Sequence, residues 1–326
     1  MKLTLKVETF AYLQPFRISG HVFNETAVLV AELDDGQHVG CGEGAGVYYL
    51  GDDIAHMLAE AERVRAAIEA GADRTALQHL LPAGGARNAI DCAFWELEAR
   101  QRQVPVWQLA GVQAPRALKS TLTLGADAPE VMAAAALKLD PAAPVKVKLT
   151  GEIAMDTARM NAIRAARPDA WIGVDANQGY DRAGLATLLE MLLANGVALL
   201  EQPLARGREA DLDGLARPLP FAADETAVTL ADTDALVGRF DVVNIKLDKC
   251  GGLTEGLAIA RRARELGLDV MVGNMMGSSL SMAPSFVLGQ LCDVVDLDGP
   301  TFLARDRVPG VRYRNGCIEC GPEIWG

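Results

Sequence analysis

Five short apolar runs, each ending in a charged residue, decide how this chain folds: PVKVK (144–148), AWIGVD (170–175), GVALLE (196–201), LPFAAD (219–224) and DVVNIK (241–246). They end at Lys148, Asp175, Glu201, Asp224 and Lys246, at spacings of 22 to 27 residues. A strand, a helix and two loops need about that length of chain. In a parallel barrel the residue at the end of each strand faces the mouth, where catalytic groups lie. We therefore expect these five side chains at one rim.

The same rhythm continues on both sides of these runs. Further strands are predicted at ALKSTLTL (117–124), DVMVG (269–273) and LCDVVDLD (291–298). Seven helical patterns lie between the eight strands, including the segments 209–218 and 229–238. This alternation predicts an α/β fold, a β/α barrel. A doubly wound sheet would alternate in the same way, but it would not explain why charged groups end nearly every strand.

The N-terminal third of the chain has a different pattern. Alternating apolar residues in MKLTLKVETF (1–10) and in 25–44 predict strands, with a DDG turn inside the second segment. Residues 52–70 and 87–103 have helical periodicity. We predict an α+β capping domain over 1–113, which the C-terminal tail 303–326 joins, and a barrel domain over 114–302.

Composition excludes several classes of protein. The 326 residues carry a net charge of −12, which disfavours nucleic acid and anionic membranes as partners. The N-terminus lacks the apolar core of a signal peptide, and no apolar run is long enough to span a membrane. Six scattered cysteines are typical of a reduced cytoplasmic protein. Cys317 and Cys320 form a C-x-x-C pair with no second pair nearby, so we expect free structural thiols.

Three of the strand ends carry carboxylates on successive strands. Asp175, Glu201 and Asp224 would lie close enough to share one ion, and three hard oxygen donors suit Mg²⁺. Zinc is disfavoured because no histidine or cysteine falls at these strand ends. The alternative is three acids that are simply exposed to solvent.

Two lysines flank these carboxylates, on the second and the sixth strand. A lysine base must be neutral when it acts, and burial and a nearby cation both lower its pKa. Lys148 and Lys246 are therefore candidates for proton transfer from two sides; alternatively, they form salt bridges with the acids. Lys146 shares a strand face with Lys148, and could support its pKa or hold a substrate carboxylate.

These motifs together resemble the enolase superfamily, in its muconate-lactonizing subgroup. The matching segments are KVK (146–148), DANQGY (175–180), EQP (201–203), ADET (223–226), NIKLDKCGG (244–252), GNMMGSSL (273–280) and the helix 86–111. The resemblance implies a modified (β/α)₇β barrel of the TIM type with a capping domain. It also implies Mg²⁺ on Asp175, Glu201 and Asp224, with Lys148 and Lys246 as opposed acid/base catalysts. We expect two other residues of these motifs, Asn177 and Glu225, to surround the metal ligands.

The implied reaction is proton exchange next to a carboxylate. Removing that proton creates an enediolate, which Mg²⁺ stabilises, and returning a proton to the opposite face inverts the carbon. Asp296 and Asp298, in the segment DLDGP, resemble the motif with which dipeptide epimerases hold the substrate's ammonium group; the alternative is a plain turn. The sequence is thus most like a dipeptide epimerase of the L-Ala-D/L-Glu type, which inverts the C-terminal residue.

The substrate side chains are less well determined. An epimerase specific for Ala-Glu carries an arginine in the capping loop, and here His21 falls near that position, while Arg17 lies earlier. We expect His21 and Tyr48 to contact substrate, and a hydrophobic or cationic dipeptide is an alternative to Ala-Glu. Rival activities are N-acylamino acid racemase, muconate cycloisomerase and o-succinylbenzoate synthase, and a barrel that only binds ligands is a further alternative. The resemblance also implies a homo-oligomer.

Overall fold

The chain begins with an antiparallel sheet of three strands. In the computed structural model, which describes residues 1–18 and 21–326 and the side chains of 1–17 and 22–326, the strands are β1 (Lys2–Ile18), β2 (His21–Asp34) and β3 (Val39–Ala45). The predicted DDG turn joins β2 to β3. There the Asp34 carboxylate accepts a hydrogen bond from the Gly36 amide at 2.7 Å. Gly36 has a φ of 91°, which glycine adopts without strain.

Helices follow this sheet: α1 (Ile54–Glu69), α2 (Arg74–Leu80), α3 (Gly85–Arg102) and α4 (Val106–Leu109). Asp53 caps α1 by accepting a hydrogen bond from the amide of His56, and Asp73 caps α2 by accepting one from the amide of Ala76, each at 2.8 Å. These acids satisfy amides that have no partner inside the helix. The Asp53 cap explains why the helix predicted over 52–70 begins at Ile54.

Strand β3 and helix α3 lie in unusually close contact. A Cβ on Gly40 would lie 2.1 Å from the carbonyl oxygen of Ala93, and one on Gly42 would lie 2.1 Å from that of Ala89. Only glycine fits at such a distance, which explains the alternating glycines of VGCGEG. The end of β3 is fastened to the second half of the chain, because the Ala45 amide donates to the Asp248 carboxylate at 2.8 Å.

The second half of the chain forms a curled parallel sheet of eight strands. In sheet order they are β5 (Leu122–Leu124), β6 (Val145–Lys148), β7 (Ile172–Asp175), β8 (Leu199–Glu201), β9 (Phe221–Ala223), β10 (Val242–Ile245), β11 (Asp269–Val272) and β12 (Val294–Val295). The two edges meet, because the amide of Thr121 donates to the carbonyl of Val295 at 3.0 Å. The sheet therefore curls into the predicted barrel-like α/β architecture.

Helices pack around this sheet: α5 (Pro129–Ala136), α6 (Ile153–Ala166), α7 (Leu185–Ala194), α8 (Leu247–Cys250), α9 (Leu253–Glu265) and α10 (Ser279–Gly289). Among the described residues, no helix is long and apolar enough to cross a membrane. Buried side chains such as Ile163, Leu188 and Ile259 contribute to the core that α6, α7 and α9 form with the strands.

The structure differs from the sequence prediction at three segments. The helices predicted over 209–218 and 229–238 are short 3₁₀ helices, Glu209–Leu212 and Leu230–Leu236. In the second, Thr229 and Asp232 form a capping box that stabilises the helix start. Both segments are short because a glycine with positive φ follows each one closely, Gly214 at 69° and Gly238 at 82°. The strand predicted over 117–124 is split, because Leu118–Lys119 forms a separate strand, β4.

The C-terminal tail contacts both halves of the chain. Its strands β13 (Arg312–Arg314) and β14 (Cys317–Glu319) form a small antiparallel sheet with β4. Near the end of the chain, the indole of Trp325 donates to the carbonyl of Cys41 on β3 at 2.9 Å. The domain boundaries at 113 and 302 stay predictions. Cys317 and Cys320 are free thiols, as expected.

Candidate active site

Three carboxylates meet at the carboxyl edge of the barrel. Asp175 and Glu201 are the last residues of β7 and β8, and Asp224 follows β9. One oxygen from each lies within 4.8 Å of the others, and all three side chains are buried. Parallel strands bring their carboxyl ends to one rim, so the spacing along the chain becomes proximity in space. Solvent-exposed acids, the alternative interpretation, do not describe this cluster.

Two lysines lie on either side of this carboxylate triad. Lys148 is the last residue of β6, and its ammonium nitrogen lies 2.5 Å from Oδ2 of Asp175. Lys246 directly follows β10, and its ammonium nitrogen lies 2.7 Å from Oδ2 of Asp224. Both lysines therefore form the salt bridges that the sequence left open as an alternative. A salt bridge does not remove a lysine from proton transfer, since the same contact places its ammonium group beside the ion site.

Lys146 is a buried lysine that contacts three carboxylates of the same cluster. Its ammonium nitrogen lies 2.7 Å from Oε2 of Glu201, 2.8 Å from Oδ2 of Asp296 and 3.5 Å from Oδ2 of Asp175. Burial lowers the pKa of Lys146, but these carboxylates outweigh burial and hold the pKa well above its usual value. Lys146 thus remains a cation that compensates the negative charge of the site.

A fourth lysine, Lys249, was not predicted from the sequence and is fully buried beside the triad. Its ammonium group donates to Oδ1 of Asp224 at 2.6 Å, to the carbonyl of Asp224 at 2.5 Å and to the carbonyl of Asn244 at 3.1 Å. Asn244 in turn donates to Oε1 of Glu201 at 2.8 Å. A sequence signal existed: Lys249 lies three residues after Lys246, and α8 turns the chain back toward the same strand end.

Electrostatic shifts in the triad follow from burial and from the lysines. Burial raises the pKa of Glu201 to about 7, and Asp175 adds to the shift. Burial acts in the same direction on Asp224, but Lys246 and Lys249 outweigh it and hold the pKa well below its usual value. Burial lowers the pKa of Lys246, yet Asp224 outweighs burial, so the pKa is raised. The cause is that a carboxylate oxygen faces the Lys246 ammonium group directly, and the lowered pKa expected of a lysine base beside bound Mg²⁺ stays a prediction.

Asp296 and Asp298 lie after β12 and both line the cavity above the triad. Asp296 is engaged by Lys146 and by the Thr121 hydroxyl at 2.5 Å. Asp298 accepts a hydrogen bond from the Thr123 amide at 2.6 Å. Burial, together with Asp296, raises the pKa of Asp298 to about 7. The two carboxylates therefore have different surroundings, and Asp298 is the one that has no lysine at salt-bridge distance in the described part of the chain.

Three more of the predicted site residues line a cavity of about 320 Å³. Tyr48, Asn177 and Glu225 all line it. Burial and the Asp224 charge raise the pKa of Glu225 to about 8. His21 begins β2, but its side chain lies outside the described residues. Arg17 pairs with Asp127 at 3.6 Å on the outside of this region.

Family models match both halves of the chain. The model described as mandelate racemase / muconate lactonizing enzyme, N-terminal domain, matches residues 3–111, and the model described as enolase C-terminal domain-like matches residues 126–320. The chain belongs to the mandelate racemase and muconate lactonizing enzyme family of the enolase superfamily.

Several named relatives and solved structures are similar to this chain over most of its length. An L-Ala-D/L-Glu epimerase of Escherichia coli (strain K12) is 40% identical over 96% of this chain and 98% of its own length. An N-acetyl-D-glutamate racemase of Pseudoalteromonas sp is 42% identical over 74% of this chain and 75% of its own.

An enolase family member from Agrobacterium tumefaciens, solved with sodium and L-Ala-L-Glu, has a TM-score of 0.94 at 36% identity over 99% of both chains. A dipeptide epimerase from Methylococcus capsulatus, complexed with Mg and L-Arg-D-Lys, has a TM-score of 0.89 at 29% identity over 98% of both.

Proposed function

We propose that this protein is a Mg²⁺-dependent dipeptide epimerase that inverts the α-carbon of the C-terminal residue. One observation carries the proposal: the triad of Asp175, Glu201 and Asp224 lies between Lys148 and Lys246, which approach it from opposite sides of the barrel mouth. An ion with a proton donor or acceptor on each side suits the inversion of a carbon next to a carboxylate.

The chemistry of the triad fits Mg²⁺. Asp175, Glu201 and Asp224 offer three hard oxygen donors within 4.8 Å of one another. These residues would hold the ion, and the remaining coordination positions would be free for the substrate carboxylate. Bound there, Mg²⁺ supplies positive charge that stabilises the negative charge developing on the substrate and lowers the pKa of the nearby lysines.

The two lysines have complementary tasks in this scheme. One Nζ starts neutral and accepts the α-proton from one face of the substrate, while the other starts protonated and donates from the opposite face. Their starting states exchange when the substrate has the opposite configuration. Lys146 and Lys249 do not take part in the transfer, because each is fully occupied by carboxylate or carbonyl oxygens. They hold the carboxylates of Glu201, Asp224 and Asp296 in place.

The substrate's ammonium group would be held at the other end of the site. We assign this role to Asp298, supported by Asp296, because Asp298 lines the cavity without a lysine partner among the described residues. A bound ammonium group would favour the ionised carboxyl. Tyr48 and His21 would contact the substrate from the capping side, and Asn177 and Glu225 would surround the ion site.

The main rival is an N-acylamino acid racemase, which would use the same lysines on a substrate without a free ammonium group. Its support is the similarity to the N-acetyl-D-glutamate racemase. Muconate cycloisomerase and o-succinylbenzoate synthase rank lower as candidate activities. The Asp298 carboxylate would repel muconate, and it would form no ion pair with any substrate that lacks a cation. We place the enzyme in the cytoplasm as a homo-oligomer that binds neither nucleic acid nor membrane.

The test is a library of L,L-dipeptides incubated with the Mg²⁺-loaded protein in D₂O. We expect mass spectrometry to detect deuterium at the α-carbon of the C-terminal residue, together with the L,D product. The double variant Lys148→Ala/Lys246→Ala is the control and should show neither. Exchange with N-acyl amino acids but with no dipeptide would favour the racemase, and no exchange with either class would contradict the proposed function.

A further inference from the structure

The wall of the cavity opposite the triad is formed by aromatic side chains. They come from β1, β2 and the 3₁₀ helix Tyr48–Leu50, and they are Tyr12, Phe16, Phe23, Tyr48 and Tyr49. The rings contact one another: the centroids of Phe23 and Tyr48 lie 5.6 Å apart, and those of Tyr48 and Tyr49 lie 5.2 Å apart at nearly a right angle. Met275 and Met276 line the cavity as well. Such a surface binds apolar groups well and solvates charge poorly.

Basic groups are found only on the side of the cavity where the triad lies, which we call its floor, within the described residues. Among the described residues that line it, the basic side chains are Lys146, Lys148 and Lys246. The ammonium group of each lies 2.5 to 2.7 Å from a carboxylate oxygen of the triad. Arg17 is on the adjoining strand, but it pairs with Asp127. A second carboxylate on a substrate would therefore find no cation on the aromatic wall within the described residues.

The wall carries an acid instead. Glu25 of β2 lines the cavity and is exposed to solvent. The other acids on this side are already bonded: Asp52 accepts from the Gly85 amide at 2.8 Å, and Asp53 caps α1. Glu25 thus adds a like charge to the place where a distal carboxylate of the substrate would lie, and like charges at close range oppose binding.

Geometry indicates which substrate side chain meets this wall. When the α-proton leaves, the α-carbon becomes planar, and the two lysines lie on its two faces. In the proposed function its carboxylate would bind at the triad, and its amide nitrogen would lie toward Asp298. The one remaining in-plane substituent is the side chain of the C-terminal residue, which would therefore be directed away from the triad, to the capping side.

We propose that this enzyme prefers dipeptides whose C-terminal side chain is apolar or aromatic and that it disfavours a C-terminal glutamate. This inference rests on the proposed function. The preference arises from the aromatic wall and from Glu25. It would set this chain apart from the relatives whose names specify glutamate.

The decisive comparison is L-Ala-L-Gln against L-Ala-L-Glu, which have nearly the same shape and differ in charge. We expect kcat/KM for the glutamine dipeptide to exceed that for the glutamate dipeptide by about tenfold, and L-Ala-L-Phe to exceed both. Equal or faster turnover of L-Ala-L-Glu would overturn the inference while leaving the epimerase proposal intact. No exchange with any dipeptide would overturn the proposed function itself, and the inference with it.

Two variants test whether Glu25 causes the discrimination against glutamate. Glu25→Gln should raise kcat/KM for L-Ala-L-Glu relative to L-Ala-L-Gln by several-fold, because it removes the like charge. Glu265→Gln makes the same change of charge at the exposed end of α9 and should leave the ratio unchanged. An unchanged ratio in Glu25→Gln would contradict the role of Glu25. A wild-type preference for glutamate that His21→Gln abolishes would overturn the inference, since it would identify His21 as the missing cation.

Discussion

Lys249 and Asp224 form a buried contact that joins helix α8 to the end of strand β9. The ammonium group of Lys249 lies 2.6 Å from Oδ1 of Asp224, and the other oxygen of the same carboxylate lies 2.7 Å from Lys246. Lys249 also binds the backbone carbonyl of Asp224 at 2.5 Å. One lysine thus fixes the orientation of the carboxylate, while the other remains at the mouth of the site, where it can reach substrate.

The first prediction concerns this positioning contact. Lys249→Met should destabilise the fold by about 3 kcal/mol, because it leaves a buried carboxylate with one cation fewer. It should also weaken Mg²⁺ binding, since Asp224 is no longer held in one orientation. Chemical unfolding and calorimetric titration with Mg²⁺ measure the two effects. Lys138→Met, which removes an exposed lysine, is the matched control, and equal behaviour of the two variants would contradict the positioning role.

The second prediction separates the two proton-transfer groups. Lys148→Ala and Lys246→Ala should each reduce epimerisation by about a thousandfold or more while Mg²⁺ binding persists. In D₂O each variant should exchange the α-proton of only one stereoisomer, because only one face retains its lysine. Which stereoisomer remains active assigns each lysine to a face. An active Lys246→Ala enzyme would contradict the two-base scheme.

The third prediction distinguishes dipeptides from acylated amino acids. Asp298→Asn removes the carboxylate assigned to the substrate ammonium group and should lower kcat/KM for dipeptides by about thirtyfold or more. N-acyl amino acids lack that ammonium group and should be affected much less. Kinetics with both substrate classes measure the difference. A uniform loss for both classes would show that Asp298 acts on the site as a whole and does not select the substrate.

The fourth prediction is a pH dependence of stability without added metal or substrate. Burial raises the pKa of Asp298 to about 7 in the folded protein, well above its value in an unfolded chain. Between these two values the folded state binds more protons, so stability falls as pH rises from about 4 to 7. Asp298→Asn should lose less stability over this range, by up to about 4 kcal/mol. Unfolding measured at intervals from pH 4 to pH 8 compares the two proteins; parallel curves would contradict the raised pKa of Asp298.

The fifth prediction tests the ion site apart from turnover. Saturating Mg²⁺ should raise the melting temperature of the wild type, because ligand binding to the folded state alone stabilises it by about 2.7 kcal/mol at a hundredfold excess over Kd. Glu201→Gln removes one ligand and should abolish most of this increase. Glu190→Gln, on the outer helix α7, should retain it. A full response of Glu201→Gln would exclude Glu201 as a ligand.

The sequence predicted the parts of the site that are local in character. Strand ends are marked by apolar runs, and a charged residue that closes such a run must face the rim once parallel strands assemble. The grouping of Asp175, Glu201 and Asp224 between Lys148 and Lys246 followed from that rule. The segments 209–218 and 229–238 were predicted to be regular helices, because apolar spacing along the chain does not distinguish a short 3₁₀ helix from an α-helix.

The sequence by itself therefore determined the barrel, the order of the strands and the identity of the groups at its mouth. Only the tertiary structure decided how these groups share their charges: that Lys146 bonds three carboxylates, that Lys249 holds Asp224, and that Glu25 faces the cavity from a separate sheet. Periodicity is a property of neighbouring residues and can be read along the chain. Contacts such as that of Glu25 with the cavity join segments more than a hundred residues apart, and they exist only after β2 packs over the barrel mouth.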